Sequence, residues 1–152
     1  RPDLYTIGCV GRMSALREMD DGRYYLTLMG LCRYDVVEEL TTSSSYRQVL
    51  ADYDPYRADL DPAETPTTDR KALLAALEDY LDAHDLGTDW EQIHDVGDET
   101  LINALAMMCP FEPREKQALL EAPGLAERAD ILITLFTMSG ISGAGEAPAP
   151  MQ

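Results

Sequence analysis

Lysine is nearly missing from this chain: Lys71 and Lys116 are the only two in 152 residues. Acidic side chains number 28 against 12 basic ones, a formal net charge of −16. Binding to phosphates rests on clustered Lys and Arg that displace counterions, so the composition argues against a nucleic-acid-binding surface. The imbalance is uneven. Residues 1–60 carry 7 basic and 10 acidic side chains, a balance of −3, and residues 61–152 carry 5 and 18, a balance of −13. A surface that acidic serves solubility first.

Other absences narrow the function further. Cys9, Cys32 and Cys109 form no CxxC pair, and an odd number of thiols predicts reduced core cysteines. No apolar run reaches the ~18 to 20 residues of a membrane span, and the first residues do not read as a signal peptide, so the expected setting is the cytoplasm. His84 and His94 stand ten apart without a nearby cysteine, which predicts no metal site. No GxxxxGK[ST] occurs to cradle a nucleotide, and no serine sits in GxSxG or beside a plausible lysine. The acidic pairs Asp20-Asp21 and Glu38-Glu39 read as solvated turn and strand-end charges. These absences predict no catalytic residues, no cofactor and no catalysis by this chain alone.

What is present divides at a Pro-rich acidic joint, DLDPAETPT, residues 59–67. Before it, β-branched and aromatic residues alternate with polar ones, and Asp21-Gly22 supplies a tight hairpin turn, which predicts antiparallel strands over 5–18 and 23–39. A third strand is expected in YRQVLADYDPY, ending at Pro55, and Gly8, Gly11 and Gly30 predict bulges in a curved sheet. After the joint the apolar period becomes 3.6. Thr68 or Asp69 is expected to cap a helix bearing Leu73, Leu77 and Tyr80 and ended by Gly87; Asp89 opens a short helix with Trp90, and Asp98 caps a third that Pro110 stops. Pro113 opens a fourth, with Leu119 and Leu120 as its buried pair, and Leu125 opens the last, which carries Ile131, Leu132, Leu135 and Met138. The expected organisation is α+β: a β-rich portion over 1–60, a helical bundle over 61–140, and a disordered Ala/Pro/Gly tail over 141–152.

The order of LYTIGCVGRM, DDGRYYLTLMGLCRYDV, YRQVLADYD and INALAMMCPFEPREKQALLEAPGLAERADILITLF resembles the N-terminal, substrate-binding domain of the ATP-dependent Lon protease. The residues that carry the likeness are Gly8 through Arg12, then Asp21-Gly22 with Gly30 and Arg33. In the helical half they are Glu115-Lys116-Gln117 with Leu119, Leu120, Arg128 and Leu132. The resemblance implies a PUA-like β pseudobarrel portion followed by the bundle. It also implies a stand-alone relative, since the family's opening strands and its ATPase and Ser–Lys peptidase modules have no counterpart in these residues.

The function that follows is recognition of unfolded or apolar polypeptide segments without catalysis, with an ATP-dependent protease as a possible partner. Seven Met and eight Tyr suit degenerate apolar contacts. The expected contact residues are Tyr53, Tyr56, Trp90 and Met107, placed where sheet and bundle join, and a free sheet edge could add an extended segment as a strand. Two other readings compete. One is a homodimer built on the same edge. The other is an RNA-binding PUA-like module, whose only support is Arg12, Arg17, Arg23 and Arg33.

Overall fold

The computed structural model describes residues 2–61 and 68–143. The chain divides into two compact units, Arg1–Ala63 and Glu64–Gln152.

In the first unit, β1 (Ile7–Glu18), β2 (Tyr24–Leu40) and β3 (Gln48–Asp52) form an antiparallel sheet in the order β1-β2-β3. The β1–β2 turn closes through Gly22 N–H to the Met19 carbonyl at 3.0 Å, with Gly22 at φ 79°, a left-handed value that glycine adopts without strain. The pairing slips at Val10/Gly11, Met13/Ala15 and Val36/Glu38, leaving Leu31, Ser14 and Val37 unopposed. The first slip falls at Gly11, which pairs with Gly30, two of the three glycines at which bulges were expected. Gly8 has a different role. A Cβ there would come within 2.4 Å of the Tyr34 ring, which lies across β1 and tilts against Tyr53 at 5.7 Å between centroids.

The third strand is shorter than expected. Asp52 accepts a hydrogen bond from Asp54 N–H at 3.0 Å and turns the chain into a 3-10 stretch, Asp54–Leu60, opened by Pro55 and kinked at Tyr56. Asp59 of this stretch accepts from the Arg33 backbone N–H, Nε and Nη2 at 3.0, 2.8 and 2.7 Å, which staples it to β2. Among the described residues of this unit only Cys32 and Arg33 are buried.

The second unit has α1 (Arg70–Ala83), α2 (Trp90–Asp95), α3 (Asp98–Met108), α4 (Pro113–Glu121) and α5 (Leu125–Gly143). Leu73, Leu77, Tyr80, Leu101, Ile102, Phe111, Leu119, Leu132 and Phe136 form its closed core, with the Phe136 ring 5.0 Å from Tyr80 and 5.7 Å from Phe111. Helix α5 runs three residues past 140, and the rest of the expected tail lies outside the described residues, as does most of the joint. No helix among the described residues is long and apolar enough to cross a membrane.

Of the two expected caps of α1, Asp69 takes the role, accepting from Ala72 N–H at 3.0 Å, while other local expectations need correction. The other end of α1 closes before Gly87: Asp85 takes the left-handed conformation at φ 53°, and Leu86 N–H reaches back to the Leu81 carbonyl at 2.9 Å, a Schellman closure. Asp98 is the first residue of α3 and not its cap, because its carboxylate pairs with Arg70, whose Nη2 also binds the Ile93 and Val96 carbonyls at 2.7 and 2.9 Å. Leu119 is buried but Leu120 only half-buried. Neighbouring residues on a helix point 100° apart, so a nine-residue helix with one apolar stripe buries one of them fully.

Candidate functional site

The four expected contact residues fall in both units: Tyr53 and Tyr56 in the first, Trp90 and Met107 in the second. Tyr53 is 43% exposed and carries the ring pair with Tyr34. Tyr56 is committed internally. Its hydroxyl donates to Asp35 at 2.9 Å, its ring lies under the Arg33 guanidinium at 4.9 Å, and its carbonyl accepts from the Cys32 thiol at 3.3 Å. Burial and the Asp35 hydrogen bond push the Tyr56 hydroxyl pKa above the usual tyrosine value. Trp90, at the first turn of α2, packs on the bundle core and lines an open groove with Lys71, Leu74, Glu78 and His94. Met107 is 72% exposed near the end of α3, beside Met108 at 81%.

The helical signature residues serve the fold. Glu115 accepts from Glu112 N–H at 2.8 Å and closes the start of α4, while Lys116 Nζ donates to the Met107 carbonyl at 2.7 Å. Arg128 donates through Nε to the Leu119 carbonyl at 2.9 Å and through Nη1 to Asn103 at 2.6 Å, joining α5 to α4 and α3. Leu119 and Leu132 are core.

An exposed apolar surface lies on the β1–β2 hairpin, which sequence reasoning passed over. From Tyr24 to Tyr34, β2 pairs with β1 alone, because β3 reaches only to Asp52, opposite Asp35. Leu16 stands opposite Leu26, Met13 opposite Leu28 and Glu18 opposite Tyr24. Opposed residues share a face and alternate residues along a strand share it too, so Met13, Leu16, Tyr24, Leu26 and Leu28 form one apolar face. These five are 45% to 61% exposed. The opposite face pairs Arg12 with Met29, Ala15 with Thr27 and Arg17 with Tyr25. Alternation along the strands was legible in the sequence and predicted the strands, without showing that this face is exposed. No further strand among the described residues covers it.

The arginines sort differently from the expectation that grouped them. Arg23 is held by Asp21 at 2.6 Å, which keeps that carboxyl below its usual pKa, and Arg33 is buried against Asp59. Only Arg12 and Arg17 of the four lack an ion-pair partner among the described residues. Two separated arginines do not make a phosphate-binding patch.

The fold is that of solved Lon N-terminal domains. A Lon N-terminal domain protein from Xanthomonas campestris superposes with a TM-score of 0.55 at 16% identity, over 86% of this chain and 68% of that one. The N-terminal domain of Mycobacterium avium complex Lon protease gives 0.56 at 16% identity, over 90% of this chain and 73% of the other. A comparison with curated proteins finds no match. The family profile described as the ATP-dependent protease La (LON) substrate-binding domain matches residues 1–137. The chain therefore belongs to the Lon substrate-binding domain family.

Proposed function

We propose that the chain is a non-catalytic polypeptide-recognition module whose contact surface is the apolar face of the β1–β2 hairpin. The observation that carries this reading is the set Met13, Leu16, Tyr24, Leu26 and Leu28, large side chains on one face and about half exposed each. Covering the exposed half of one such side chain contributes about 1 kcal/mol. Five give about 5 kcal/mol gross, most of it offset by the motion lost on association. Binding of a short segment is accordingly weak, with a Kd of about 1 mM or above. Tyr53, in the same unit, is a secondary contact in this reading, and Trp90 and Met107 are separate candidate contacts on the second unit. Its support is the family's substrate-binding role, and an ATP-dependent protease acting on the bound polypeptide is the partner that role suggests. Three cysteines outside any disulfide support a reducing, cytoplasmic setting.

The test is a titration of labelled casein-like unfolded polypeptide and of labelled RNA at about 50 and 200 mM salt. Polypeptide binding that survives added salt and disappears in Leu26→Asp/Leu28→Asp, with the circular dichroism spectrum unchanged, is the expected result. Salt-sensitive RNA binding without polypeptide binding would overturn the reading. Concentration-dependent self-association with neither ligand bound would favour the homodimer.

A further inference from the structure

We propose that the outer edge of β1 takes an extended polypeptide as an added strand and selects the pattern acidic–apolar–any–apolar–acidic. This rests on the polypeptide-recognition reading and specifies its ligand. Three observations meet at this edge. First, β1 is an edge strand: among the described residues its ladder is with β2, and the sheet order places nothing on its other side. Alternate residues of an edge strand turn their N–H and C=O outward, which is the template for strand addition.

Second, the two faces of that edge differ in chemistry. Read along β1, the rungs are Arg12, Met13, the Ser14–Ala15 bulge, Leu16 and Arg17. Arg12 stands opposite Met29 and Arg17 opposite Tyr25, so the two guanidinium groups are on one face, four β2 residues or about 13 Å apart. Met13 and Leu16 point to the other face with Leu26 and Leu28. The carboxylate nearest in sequence, Glu18, is on the apolar face, where Tyr24 donates to it at 3.4 Å. A strand laid along β1 meets, in order, a cation, an apolar group, the bulge, an apolar group and a cation. The complement is an acidic residue at each end and apolar residues at the second and fourth places. The pattern is the same read in either direction, so it does not depend on parallel or antiparallel addition.

Third, the same charges disfavour a second copy of this chain as the occupant. The antiparallel self-pairing that sets Met13 against Leu16 also sets Arg12 against Arg17, and like charges directly opposed across a ladder are destabilising. Arginines on an open edge are a known guard against self-pairing. An acidic partner strand turns that guard into an attraction.

The experiment uses the full chain and three labelled ten-residue peptides followed by fluorescence anisotropy: one with two acidic residues flanking two apolar ones in the stated order, one scrambled, and one with lysine in place of the acids. The ordered acidic peptide is expected to bind about tenfold tighter than either other, with the margin over the lysine peptide shrinking as salt rises. N-methylation of alternate backbone nitrogens in that peptide should abolish binding, since the ladder is lost. Arg12→Glu/Arg17→Glu should invert the preference toward the lysine peptide, and Arg12→Gln/Arg17→Gln should erase it. Equal binding of ordered and scrambled peptides, or a preference unmoved by charge reversal, would overturn the proposal. If casein-like polypeptide still binds through Leu26 and Leu28 in that event, the broader reading stands. If it does not bind either, both fall.

Discussion

Truncating Leu119 to alanine is the sharpest test of how the second unit holds together. Leu119 is 1% exposed and sits in the core cluster, while the neighbouring Leu120 is half-buried. Leu119→Ala removes three buried carbons, at about 0.8 kcal/mol each, or about 2.4 kcal/mol of transfer free energy. The hole left between α4 and the rest of the core adds to this, because packed surroundings relax only in part, and the total comes to about 3 to 5 kcal/mol. That is a large fraction of the 5 to 15 kcal/mol that stabilises a typical domain. Trp90, the single tryptophan, packs on this core, so its fluorescence reports unfolding of this unit. With a urea slope of about 1.5 kcal/mol per M, the midpoint should fall by about 2 M or more, and Leu120→Ala should lower it by about half as much or less. A Leu119→Ala midpoint within about 0.5 M of the parent, or a larger loss in Leu120→Ala, would refute the placement of α4.

Two further outcomes follow. Gly8→Ala forces the Tyr34 ring off β1 and breaks its contact with Tyr53, an aromatic pair of about 1 kcal/mol, so amides of residues 7–10 and 33–36 should exchange with deuterium several-fold faster; unchanged exchange would show that the ring moves freely. Burial raises the pKa of the Cys32, Cys109, Tyr56 and Tyr80 side chains, with Asp35 adding to the effect at Tyr56. The folded chain thus keeps protons that the unfolded chain releases, so stability is intact below about pH 8, the lower edge of thiol titration, and declines through the tyrosine range above about pH 10; urea midpoints that stay level from pH 8 to 11 would contradict this.

Much of the fold was legible because the apolar period is a direct consequence of where side chains point. The change from two to 3.6 at the Pro-rich joint separates β1–β3 from α1–α5, and Asp89 and Pro113 mark helix starts as their chemistry requires. Local signals failed where a long-range partner competed for the same group. Asp98 reads as a cap, but Arg70, 28 residues away, takes its carboxylate. Gly87 reads as a stop, but Leu81 and Leu86 close the helix earlier around Asp85. Tyr56 reads as a spare aromatic, but Arg33 and Asp35 enclose it. The hairpin face was missed for the opposite reason: alternation predicts that a face is apolar and is silent on whether anything covers it.

That distinction separates where this chain stores stability from where it can spend apolar surface on a ligand. The second unit closes an eleven-residue core, and of the residues that carry the family likeness there Leu119 and Leu132 lie in that core, while Glu115, Lys116 and Arg128 bond backbone or side-chain groups of the helices around it. The first unit buries only Cys32 and Arg33 among its described residues and is held largely by the β ladder and by Arg33, Asp59 and Tyr56. Its hairpin leucines, methionine and tyrosine contribute little to folding because they are half in water already. Polar substitutions at Leu26 or Leu28 should then weaken binding and leave the urea midpoint of the bundle in place, whereas Leu119→Ala does the reverse. The most specific sequence signature marks the helical core, whereas the face we propose for recognition needs residues that are only apolar, which is why pattern alone does not single it out.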